Sequence, residues 1–109
     1  MYDLKLMEKV ERLKDFDEMK NLSICVKGYI DEHKYKECEE MLSYSMYLHP
    51  HNPEPHNLFG ILMEKRGDHV MAMKHFRVSL DLDPTYKPAQ TNLEVFGTFF
   101  SSKKNFCYA

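Results

Sequence analysis

Three histidines, His49, His51 and His56, crowd the stretch "LHPHNPEPHN" that runs from Leu48 to Asn57. An H-x-H pair with a third imidazole five residues on offers nitrogens to zinc or nickel. A structural site of that kind needs four ligands, and no neighbouring Cys or His completes the set. The expectation is therefore that no metal is held: His49 and His51 lie on an exposed turn, and His56 packs on a helix. His33, His69 and His75 fall at other helix positions and form no visible grouping.

Cys25 and Cys38 are the second candidate chemistry, a redox-sensing pair. Neither has a basic neighbour in sequence that would lower its pKa, and small buried free cysteines are common. Both are expected to be inward-facing packing residues, with Cys107 on a more exposed tail. The stretches "EKVERLKDFDEMK" and "DEHKYKECEE" are dense in carboxylates. General acid–base catalysis needs such groups perturbed in a cleft, whereas these alternate with lysines as solvated helix faces do. Gly60 and Gly67 do not form a phosphate cradle, and no nucleophile elbow or P-loop is present. An enzyme is not expected, nor is a cofactor.

Composition narrows the classes further. In 109 residues, 43% hydrophobic and 29% charged content argue for a folded domain. The formal net charge is −2, and arginine occurs only at Arg12, Arg66 and Arg77, so no basic stripe for nucleic acid is visible. An odd number of cysteines without CxxC spacing suits reduced thiols and a cytoplasmic address. The start "MYDLKLMEKVERLKD" is charged throughout, unlike a signal peptide. No apolar run approaches the length of a membrane span. The ending "NFCYA" puts Cys107 third from the end, which is not a prenylation box.

The elements that must position these residues are helices. Apolar residues recur at three- and four-residue spacing: Leu58, Phe59, Leu62 and Met63 in one stretch, Val70, Ala72, Met73, Phe76 and Leu80 in the next. No run shows the alternation of a half-buried strand. The spacing predicts about six helices, near 3–14, 18–31, 35–48, 53–66, 69–82 and 86–101, and an all-α fold. Asn52 can cap the fourth of them, with Pro53 and Pro55 in its first turn. Gly67-Asp68 closes that helix and caps the next, and Asp83-Pro84-Thr85 ends the fifth.

Shifted by 34 residues, the sequence overlays on itself: Val26 falls on Gly60, Cys38 on Ala72, Leu42 on Phe76, Met46 on Leu80 and Pro50 on Pro84. Paired helices at that period, with Phe59-Gly60, Met63, Ala72, Phe76 and Pro84 in one copy, resemble the tetratricopeptide repeat family. The other copy has Leu22, Cys25-Val26, Tyr29, Cys38, Leu42 and Pro50. Gln90, Leu93-Glu94 and Gly97 resemble the first helix of a third unit. The resemblance implies a right-handed α-solenoid of antiparallel helix pairs. It divides into an N-terminal helix (1–17), two repeat units (18–51 and 52–85), a C-terminal capping helix (86–101) and a tail (102–109).

The same resemblance implies a protein-binding scaffold or adaptor whose first helices line a concave groove for a peptide of another protein. By frame, the groove residues are Lys20, Ser23, Lys27, Ile30, Asn57, Ile61, Glu64, Thr91 and Val95. Lys20 and Lys27 attract a carboxylate, Ile61 and Val95 give an apolar floor, and Asn57 offers its amide to a peptide backbone. One branch of the family grips the C-terminal carboxylate of chaperones. That branch does so with a lysine–asparagine pair, a further asparagine and a lysine–arginine pair. The matching positions here, Ser23 and Lys27, Leu58, then Pro88 and Asn92, fail one by one, so that reading is set aside.

The segment "VFGTFFSSKKNF" is apolar on more than one side, where a terminal repeat helix normally turns a polar face outward. It requires a cover: the tail, a second copy of the chain, or a partner. The alternative function is accordingly a self-associating module, a homodimer joined through Val95, Phe96, Phe99 and Phe100. A redox or metal sensor stands third. No membrane or nucleic-acid partner is expected.

Overall fold

The punctuation of the sequence is also the punctuation of the structure. A computed structural model describes residues 18–97 and 105–109, with side chains from Leu22 onward. Five α-helices follow one another among the described residues: α1 (Glu18–Asp31), α2 (Tyr35–Leu48), α3 (Pro53–Lys65), α4 (His69–Leu82) and α5 (Lys87–Phe96). There is no strand among these residues, so the fold is all-α. The expected helix over 3–14 lies outside the described residues. The last helix begins one residue later than the spacing predicts and reaches a turn at Gly97, beyond which residues 98–104 are not described. No helix among the described residues is long and apolar enough to cross a membrane.

Local chemistry explains the boundaries. The Asn52 side chain accepts a hydrogen bond from the Glu54 N–H at 3.0 Å, and Pro53 occupies the first helical position, where no N–H is needed. The Asp68 side chain accepts from Met71 N–H at 3.1 Å and starts α4. Asp83 Oδ1 accepts from both the backbone N–H and the hydroxyl of Thr85, which fastens the turn after α4. Those two bonds hold the Asp83 carboxyl below its usual range.

The two inner turns are built alike. After α3, Gly67 takes a left-handed φ of +83°, with Gly67 N–H bonded to Glu64 O and Asp68 N–H to Met63 O. After α1, His33 takes φ 59°, with His33 N–H bonded to Ile30 O and Lys34 N–H to Tyr29 O. Both are Schellman endings, which satisfy carbonyls that the helix terminus leaves without partners. The recurrence at 34-residue intervals continues. Cys38 N–H to Lys34 O matches Ala72 N–H to Asp68 O, and His49 N–H to Ser45 O matches Asp83 N–H to Ser79 O.

Such short connections bring each helix back alongside its predecessor, and consecutive helices pack together throughout. The α3–α4 pair packs most extensively, and α3 also meets α1 and α2, which puts α3 at the centre. The core joins Val26, Ile30, Cys38, Met41 and Leu42 to Leu58, Ile61, Leu62, Ala72 and Phe76. At its middle, a Cβ added to Gly60 would fall 2.5 Å from Phe76 Cε1, so the ring occupies the space that glycine leaves open. Ser79 Oγ donates to Pro53 O at 2.7 Å and ties α4 to the first turn of α3.

Candidate functional site

The site is built around two asparagines. Asn57 lies in the first turns of α3 and Asn92 in the middle of α5, and both are fully buried. Asn92 Nδ2 donates to Asn57 Oδ1 at 2.8 Å, so each amide orients the other. A buried amide without partners costs about 1–3 kcal/mol, so the remaining donors and acceptors need a partner too. The C-terminal tail supplies it. Asn92 Oδ1 accepts from the Cys107 backbone N–H at 2.8 Å, and Asn92 Nδ2 donates to the Cys107 carbonyl at 2.8 Å. Asn57 Nδ2 donates to the same carbonyl at 3.0 Å. One residue of the tail thus has its peptide N–H and C=O both held by side chains of the helices, much as a neighbouring β-strand would hold them.

Aromatic side chains flank this backbone clasp. The Phe106 ring stacks on Phe96 of α5, centroids 4.3 Å apart and planes within 9°. Lys65 Nζ, at the end of α3, stands 5.2 Å from the Phe106 centroid. On the other side of Cys107, the Tyr108 ring has Lys27 Nζ of α1 at 5.8 Å from its centroid. Both are cation–π arrangements, worth about 0.5–1 kcal/mol each where exposed. Burial pushes the Tyr108 phenol up to about 12, and the negative charge of Asp31 adds to the rise. Tyr86, just before α5, is raised as well, first by burial and then by Glu54. The tail therefore touches α1, α3 and α5 within three residues.

Eight of the nine positions implied by the tetratricopeptide frame have described side chains, and these divide into three groups. Lys27 and Asn57 meet the tail directly. Ser23, Ile30 and Ile61 are buried in the helical face, and Val95 is half-buried beside Phe96. Glu64 turns to His69, whose Nδ1 lies 3.0 Å from its carboxylate, and Thr91 is exposed. Lys20 belongs to α1, but its side chain is outside the described residues. Phe99 and Phe100 of the self-association set also lie outside them, while Phe96 is covered by Phe106.

Lys65 and the pairing of Asn92 with Asn57 escaped sequence reasoning, and the tail was expected only as one of three covers for the last helix. A signal for Asn92 existed: in α5 the buried residues Ala89, Asn92 and Phe96 sit at helical spacing, and an amide in an apolar stripe calls for a hydrogen-bonding partner. The histidines held another surprise. His75, which forms no grouping in the sequence, lies against His56 with Nδ1 atoms 3.5 Å apart, and its ring stacks on Phe59 at 4.6 Å. The two residues are 19 apart on facing helices, a relation invisible in linear spacing. Burial lowers both imidazoles, and for His75 the neighbouring His56 adds to the shift, which favours the neutral forms. No group of three or more metal-binding side chains forms among the described residues. The three cysteines form no disulfide, and burial pushes the Cys38 thiol up to about 12.

Against known proteins, the chain is 31% identical over 64 residues to Protein NPGR2 of Arabidopsis thaliana. The match covers 59% of this chain and spans 9% of the length of that protein. No family model and no solved structure matches the chain.

Proposed function

We propose that this chain is a tetratricopeptide-type scaffold that binds a non-helical segment of another protein along the face formed by α1, α3 and α5. Four features support the reading. The backbone bonds of the two helical hairpins recur at 34-residue intervals, as repeat units do. Small residues, Gly60, Ala72 and Cys38, stand where paired helices come close. Short turns of matching length, 32–34 and 66–68 within the pairs and 49–52 and 83–86 after them, connect the helices, as an array of repeats requires. The fourth carries most weight: Asn57 and Asn92 grip a peptide N–H and C=O without regard to the side chain they belong to. That is the chemistry of backbone recognition, with flanking pockets left to supply selectivity.

Lys27, Asn57 and Asn92 are the residues on which this function rests, with Ser23, Ile30, Ile61 and Val95 giving the face its shape. Selection of random peptides on the immobilised chain tests it, with the winners mapped by amide chemical-shift changes. The expected changes concentrate on Lys27, Asn57, Ile61 and Asn92. Winners that perturb only α2 and α4, or a selection that enriches nothing, would contradict the proposal.

A further inference from the structure

The groove is already filled, and the identity of its occupant is informative. Residues Asn105–Ala109 form no helix or turn of their own. Their order comes from the helices: the backbone of Cys107 in the asparagine clasp, Phe106 on Phe96 under Lys65, and Tyr108 beneath Lys27. Phe106 and Tyr108 are two residues apart, so in a non-helical segment both rings turn to the same side, toward the helices. Cys107 is half-buried like the rings on either side, but no helix side chain is stacked on it: its thiol has a long hydrogen bond, 3.8 Å, to Ala109 O, and the helices hold it by its backbone. The contacts therefore select an aromatic residue, tolerate the next, and select an aromatic again.

We infer that residues 105–109 are a built-in ligand of the groove, and that the partner displacing them carries an aromatic–any residue–aromatic segment clasped by its backbone. This rests on the scaffold reading and gives it a ligand class and a resting state. The two lysines over the rings favour electron-rich aromatics in the partner. A tethered ligand competes at an effective concentration on the millimolar scale for a short tether. If the tail is seated about 90% of the time, a competing peptide binds about tenfold more weakly than to an open groove.

The test uses a fluorescent peptide of the tail sequence KKNFCYA, residues 103–109, against the 109-residue chain and two variants. Phe106→Ser with Tyr108→Ser removes the aromatic anchors. Cys107→Pro removes the N–H that donates to Asn92 and leaves the anchors in place. Both changes lie in the tail, and helix content by circular dichroism checks that the helices remain. The peptide should bind each variant at least about tenfold more tightly than it binds the unaltered chain. A peptide with serine at both aromatic positions should not bind. Equal affinity for the unaltered chain and both variants would overturn the inference, as would failure of the tail peptide to bind any of them. Peptides from the random selection separate the two proposals: if they bind while the tail peptide does not, the scaffold stands and the built-in ligand falls. Exchange of the tail between two copies would appear as a dimer by light scattering that both variants convert to monomer, and it would overturn the intramolecular form of the proposal.

Discussion

The first hairpin, α1–α2, and the second, α3–α4, share a backbone plan but solve their packing differently. Where the second has Gly60 facing the Phe76 ring, the first has Val26 and Leu42, both fully buried. Glycine lets a helix accept a ring against its backbone, and the second hairpin packs the more extensively of the two. In the first hairpin valine brings its own side chain into the core, and the residue at the phenylalanine's place is the smaller leucine. Where the first hairpin buries Leu22 and Met41, the second sets His56 against His75. Where the second turns on Gly67, the first forces His33 into the same left-handed geometry. Volume can thus be moved between facing positions of a repeat without disturbing its hydrogen bonds, provided the sum fits.

The largest expected effect comes from breaking that sum. Gly60→Val drives a side chain into the Phe76 ring and should cost about 3 kcal/mol in denaturant unfolding. Adding Phe76→Leu, which installs the first hairpin's pair in the second, should recover most of the loss. A harmless Gly60→Val, or a double variant no better than the single, would show that the two packings are not alternatives.

The turns give a smaller effect of opposite signs. Gly67→Ala places a Cβ in left-handed backbone and should destabilise by about 1–2 kcal/mol. His33→Gly relieves the same strain and should stabilise by about 0.5–1 kcal/mol. The contact of His33 Nδ1 with the Tyr35 hydroxyl at 2.9 Å offsets part of that gain. Loss of stability in His33→Gly would mean that this contact outweighs the backbone strain.

The histidine pair supplies the smallest contrast, one of pH. Both folded imidazoles lie below their usual value of 6.5, so the unfolded chain takes up protons first as pH falls. Stability should be intact above about 6.5 and decline as pH drops below it. His56→Leu with His75→Met, the first hairpin's pair, should flatten the melting temperature between pH 7 and 5.5, a window set on the ordinary imidazole value. An unchanged slope would place the pH sensitivity elsewhere.

Much of this architecture was legible because it is local. Proline, glycine and the capping asparagine and aspartate fix where helices start and stop within a few residues, so α2 and α4 occupy the spans that spacing predicts. The 34-residue overlay already paired Val26 with Gly60 and Leu42 with Phe76. Asn57 was readable as a donor to a peptide backbone, because the tetratricopeptide resemblance implies that its amide faces a bound peptide. Its clasp with Asn92 was not, since Asn92 was compared with a carboxylate-gripping position and failed there. The tail was least legible. Five residues have no periodicity to read, and their place depends on contacts with helices 15 to 50 residues away. His75 was missed for the same reason: its partner lies across a hairpin.

Amide hydrogen exchange at Cys107 tests the seated tail most directly, because that N–H donates to Asn92 Oδ1 of α5. The Cys107 amide should exchange at least about tenfold more slowly than a free peptide of the same sequence, and Asn92→Ala should abolish the protection. A Cys107 amide that exchanges at the free-peptide rate, while α3 and α5 remain protected, would contradict the account.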